Sequence, residues 1–133
     1  MNLLHNDAIG KLVLRLLTGL LMLFHGVAKV SHPDSLVFIK ARLIDLGLPH
    51  LTVYGVYLGE IIAPIMIILG IFSRVGGLLI VGNMLFAIIL MHAGHLFLLT
   101  EHGGWRLELQ GFYLFCGLAI MFLGSGKYAV RPD

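Results

Sequence analysis

Charged residues are scarce in this sequence, at 12% of 133 positions, too few for a soluble domain of that length to cover its surface with. Cysteine is scarcer still. Cys116 is the single one and sits in an apolar run, which excludes an internal disulfide and any C-x-x-C redox pair and leaves it a small packing residue. Neither sign of charge gathers into a tract: the formal net charge of +2 is spread along the chain, so nothing points to a nucleic-acid partner. No flavin, iron–sulfur or haem motif is written in the sequence, so electrons for any redox chemistry have to come from elsewhere. The first apolar run, beginning near Ile9, is too long for a signal-peptide core and is followed by no small-x-small cleavage pattern; it is read as retained.

What is abundant is hydrophobicity, at 59% of residues with a mean hydropathy of +0.98. The reading is an all-α, polytopic membrane protein: a four-helix bundle in one domain covering 1–133, with a short interfacial helix between spans one and two. Four spans of about 20 residues each use most of the chain. They are placed at about 8–30, 52–72, 75–95 and 107–123, with the interfacial helix at about 34–46. Ser31-His32-Pro33-Asp34 breaks the first span, Asp34 or Ser35 caps the interfacial helix, and Gly47-Leu48-Pro49 ends it. Ser73-Arg74 is a tight turn, and Thr100 to Arg106 is a polar turn anchored by Trp105. Four spans put both termini on one side, and that side is read as cytoplasmic.

The polar residues inside these runs are the informative ones. At about 100° per residue, Arg15, Thr18, Met22, His25 and Lys29 share one face of span one within roughly 80° of arc. Ionisable groups in hydrocarbon cost on the order of 3 kcal/mol each, so this stripe is expected to face other helices and find partners there. Glu60 lies roughly 12 Å in from the loop-helix side, and His92, Glu108 and Gln110 lie near that side. The expectation is a one-sided polar pocket of His25, Lys29, Glu60, His92 and Glu108. Arg15 and Arg74 are read as structural charges. Arg15, about 9 Å from Glu60 along the membrane normal, is paired with it, and Lys29 with Glu108, as one reading of register-setting ion pairs. His92 and His95, at i and i+3, can serve one metal, with His25, His102 and Met91 as supplements, although nothing in the spacing demands a metal or a haem. Asn83 is read as interhelical hydrogen-bond glue and Gly55 with Gly59 as a close-approach pair.

Taken in order, Arg15, the H-G-x-x-K of His25, Gly26 and Lys29, the G-x-P of Gly47 and Pro49, Glu60, the G-x-x-x-R of Gly70 and Arg74, His92, Glu108 and the closing G-S-G-K-Y resemble the DoxX family of small four-helix membrane proteins. The resemblance covers nearly the whole chain. It implies a bacterial inner-membrane protein, in a family named after a subunit associated with quinone-linked oxidation in archaea and described as oxidoreductases. Some similar members accompany systems that make secreted copper-binding peptides. The family offers no settled catalytic residues to carry over. The tail departs from the usual Y-S-x-D, since Tyr128-Ala129-Val130 is followed by Arg131-Pro132-Asp133. Three functions stay open: a subunit of a membrane oxidoreductase system with a quinone-type pocket, a non-enzymatic accessory or assembly protein, and a small metal or solute binder or transporter. The partners expected are the lipid bilayer, other membrane or periplasmic subunits and a second copy of the chain.

Overall fold

A computed structural model describes residues 3–91 and 93–133. Helix α1, Asp7–Ser31, starts where the Asn6 side chain accepts the Ile9 N–H at 3.0 Å, and Asp7 and Lys11 pair across its first turn at 2.8 Å. It stops at His32, ahead of Pro33. Helix α2, Val37–Asp45, follows a 3-10 turn over Pro33–Leu36 and is nine residues long, far short of a crossing. Its N-cap position, at the end of the proline-led turn, is held by Leu36, whose side chain has no group to cap with. Its end is as expected: Gly47, at φ 76°, turns the chain back while its N–H reaches Ile44 O.

Helix α3, Thr52–Leu69, α4, Ser73–Met91, and α5, Glu108–Leu123, complete the helices of the described residues. Among those residues α1, α3 and α4 are long and apolar enough to cross a membrane, whereas α5 is 16 residues, about 24 Å at 1.5 Å per residue. Leu17, Leu20 and Phe24 on α1, Ile62 and Ile65 on α3, and Phe112, Phe115 and Phe122 on α5 are all exposed. An apolar surface that extensive belongs in lipid, so the chain is an all-helical membrane protein.

The core draws on every long helix: Met22 from α1, Ala63 and Ile67 from α3, Ile80 and Met84 from α4, Tyr113 and Ile120 from α5. Small residues set the crossings. Gly77 and Gly117 face one another where α4 meets α5, and a Cβ on Gly77 would stand 2.6 Å from Gly117 O. Gly59 seats Asn83, which packs there as a body, while Gly55 has nothing against it; the expected close-approach pair is thus half used. Leu36 at the end of the 3-10 turn and Leu43 on α2 pack onto Val53 and Leu90, a second small core, and Arg42 donates to Leu90 O at 3.1 Å.

At the opposite end, the residues after α5 fold back over the start of α1. Val130 and Arg131 donate to Leu69 O and Gly70 O, and Ile71 and Arg131 form a parallel bridge. Asp133 accepts from the main-chain N–H of Ser125 and of Arg74, both at 3.1 Å, and Arg74 caps α5 through Met121 O and Phe122 O. Arg74 is therefore structural, satisfying carbonyls that a helix end leaves open.

Candidate functional site

Proline at position 64 has no N–H to give to Glu60 O, four residues back, and the helix accommodates this by widening into a π turn over Leu58–Ile62. Glu60 sits on that turn and is buried. Helix α1 comes down on the same place: a Cβ on Gly26 would overlap Glu60 O, so only glycine permits this crossing. Lys29, one turn further on, then reaches Glu60 and places its ammonium 2.6 Å from both carboxylate oxygens. Its side chain keeps a quarter of its surface exposed, whereas that of Glu60 keeps 5%.

This pair is one wall of a cavity of about 310 Å³. Met22, His25 and Lys29 line it from α1, and Glu60 from α3. Phe38 and Ile39 cover it from α2, Met84 and Ala87 back it from α4, and Leu109, Gln110 and Tyr113 face it from α5. His25 meets Tyr113 edge to face, with ring centroids 5.8 Å apart and planes at 89°. His25, Phe38 and Leu109 lie on the cavity wall and are all exposed, so the cavity reaches the protein surface where α1, α2 and α5 meet. The lining thus combines the Lys29–Glu60 ion pair, the polar side chains of His25, Gln110 and Tyr113, and an apolar floor.

Of the residues that the sequence suggests, His25, Lys29 and Glu60 come together. Glu108 does not: Leu109, Gln110 and Tyr113 carry the cavity face of α5, and Glu108 is turned onto a separate groove with Trp105 and Phe112. The Lys29 partner is Glu60, so the pairing of Lys29 with Glu108 is corrected. So is that of Arg15 with Glu60. Arg15, 1% exposed, donates to Ile67 O at 2.9 Å and Ile68 O at 3.3 Å, and to Ser125 O at 2.9 Å and Tyr128 O at 2.8 Å. Its partners are main-chain carbonyls of α3 and of the segment after α5, and not an acid. His92 lies outside the described residues, and His95 closes a turn, Ala93–His95, beyond α4. Among the described residues no three His, Cys, Asp or Glu side chains gather as metal ligands. Gln110 and Tyr113 are polar lining residues outside the expected pocket; the signal was their spacing of one turn on an otherwise apolar helix.

A membrane protein built of apolar helices around a small cavity is the class these features define. Within that class the chain belongs to the DoxX family, whose model matches residues 10–93 and so includes Arg15, His25, Lys29, Glu60 and Arg74. It is also similar to an uncharacterized protein of Haemophilus influenzae, 31% identical over 121 residues that make up 88% of this chain and 84% of that one. No solved structure matches it.

Proposed function

We propose that the His25 cavity holds the uncharged polar head of a lipid-soluble molecule of the quinone type, and that the protein serves a membrane oxidoreductase system as a subunit without a redox centre of its own. In this reading α5 spans as well, giving a single-domain four-helix bundle in the bacterial inner membrane. The start of α1 and the residues after α5 then face the cytoplasm. What supports that arrangement is that these two segments are bonded together at one end of the molecule.

The single observation that carries the ligand class is the composition of the cavity wall. Lys29 and Glu60 cancel in formal charge, so the site offers neither a net anion hole nor a net cation site, and a neutral ligand suits it. A quinone needs a donor at each carbonyl, and His25, Gln110, Tyr113 and the ammonium of Lys29 supply donors around an apolar floor. The volume, near the lower end of the range for small-molecule sites, suits a single ring and excludes a dinucleotide. A partner subunit then delivers or removes electrons, and the Glu60 carboxylate is placed to exchange a proton with a head group beside it.

The test is the lipid extract of protein purified in native nanodiscs, together with thermal shifts on adding a benzoquinone. Quinone should co-purify and raise the melting temperature, and His25→Ala with Gln110→Leu should remove most of that shift. Protein free of quinone that shows no shift would sink the reading.

A further inference from the structure

Between Val75 and Met91, α4 carries a single polar side chain, that of Asn83. Its Cβ, Cγ and Oδ1 all come within 3.0 Å of where a Cβ on Gly59 would stand, so the carboxamide lies against the π turn that carries Glu60. Among the described residues nothing in the protein hydrogen-bonds that carboxamide. Between it and the ion pair is a gap of about 40 Å³, lined by Lys29, Glu60 and Asn83 and otherwise by apolar side chains such as Val56, Phe86 and Leu90. Lys29 and Glu60 line the His25 cavity as well, and Asn83 does not.

The ion pair leaves hydrogen-bonding capacity unused at this gap. A carboxylate offers about four acceptor sites, and the Lys29 ammonium, 2.6 Å from each oxygen, leaves acceptor capacity on both. A buried pair is stable only where further hydrogen bonds satisfy what the two charges leave open. The gap exceeds the roughly 10 to 15 Å³ that a water molecule needs, and Lys29, Glu60 and Asn83 supply three polar partners where a buried water takes about 2 to 4. It is too small for a ring or a chain. A cation is disfavoured as well, because it would stand beside the ammonium.

We propose that this gap is a water site: one water molecule donates to the Glu60 carboxylate and bonds the Asn83 carboxamide, which makes Asn83 a positioning residue for Glu60. Helix α4 is then tied to the carboxylate of α3 through water, and Gly59 is the position that lets Asn83 come near enough. The site is independent of what the cavity holds.

The experiment is water-edited solid-state NMR on the full chain in liposomes, with asparagine and glutamate labelled, which reads the transfer of polarisation from bound water to nearby groups. The Asn83 carboxamide, recognised as the signal absent from Asn83→Leu, and the Glu60 carboxyl carbon should both receive it early in the wild type. Asn83→Leu should remove most of the transfer to Glu60, whereas Asn83→Ser, which keeps a hydroxyl and enlarges the gap, should retain it. Val56→Ile adds a methyl group beside the gap without touching a polar partner or a residue of the cavity wall, and should weaken both signals. A wild-type Asn83 carboxamide that receives no water polarisation overturns the proposal. So does a Glu60 signal that survives both Asn83→Leu and Val56→Ile, since its water then lies in the cavity. No arm uses a quinone, so either failure leaves the reading of the cavity standing.

Discussion

A guanidinium buried among helices is normally matched to a carboxylate, and in this protein it is matched to four main-chain oxygens instead. Arg15 takes two carbonyls that the C-terminal turn of α3 leaves open and two more from the segment after α5, so one side chain completes two main-chain ends. Gly70 makes room for it. At φ 77° the position is left-handed, which glycine adopts without strain, and a Cβ there would also stand 2.6 Å from Arg15 Nη2. Arg15→Met removes every one of these donors and should cost about 3 kcal/mol or more, because hydrogen bonds from a charged group are worth roughly 1.5 to 3 kcal/mol each and orphaned carbonyls add to the loss. Arg15→Lys keeps the charge without the planar fork and should fall between the two. Unfolding in mixed micelles, followed by tryptophan fluorescence, reads both; equal stability of Arg15→Met and wild type would defeat the assignment. The sequence could show that Arg15 needs partners, but carbonyls belong to every residue and leave no signature of type. An acid on another helix is the nearest legible partner, and the sequence does not show that Glu60 takes Lys29 in place of Arg15.

Helices were the most legible feature, because apolar runs of fixed length can end only where proline, glycine or charge allows. Rotation about a helix axis was not legible. Glu108 and Tyr113 stand on one helix, and a turn of that helix by less than half a revolution decides which of them meets the cavity. A rotation of this kind is set by packing, here by Gly117 against Gly77 and Gly111 under Trp105, and not by hydropathy. The α1–α3 crossing shows how closely such contacts are tuned. Pro64 frees Glu60 O, Gly26 comes down on it, and Lys29 is thereby brought to the carboxylate. Gly26→Ala should push the helices apart and cost about 1 to 3 kcal/mol, the usual range for overpacking. Gly10→Ala, on the same helix in open space, should change stability by no more than about 0.5 kcal/mol. The same micelle titration compares them, and equal effects at the two positions would mean that the crossing is looser than described.

The molecule as a whole has a fastened end and an open end. At the fastened end Arg15, Arg74, Ser125 and Asp133 tie α1, α3, α4, α5 and the following segment together by hydrogen bonds to main chain. At the other, α2 covers the cavity from a small core of its own, with Arg42 on Leu90 O and Lys40 5.7 Å from the centre of the Tyr54 ring. Amide exchange in nanodiscs should follow this division, with 125–131 exchanging at least about tenfold more slowly than 37–47. The reverse order would remove α2 as the mobile cover. Arg15, Gly70, Arg74 and Ser125 sit at the fastened end and hold the helices together, while His25, Lys29 and Glu60 line the cavity. Synthesis then acquires a necessary order. The four carbonyls that Arg15 binds all lie downstream of it, two at 52 and 53 residues and two at 110 and 113, so none has been made when the first helix enters the membrane and the set is complete only after nearly the whole chain is translated. Closure of the fastened end around Arg15 therefore depends on the segment after α5, and a chain truncated before Ser125 should be less stable than the full chain by the loss of two of the four bonds.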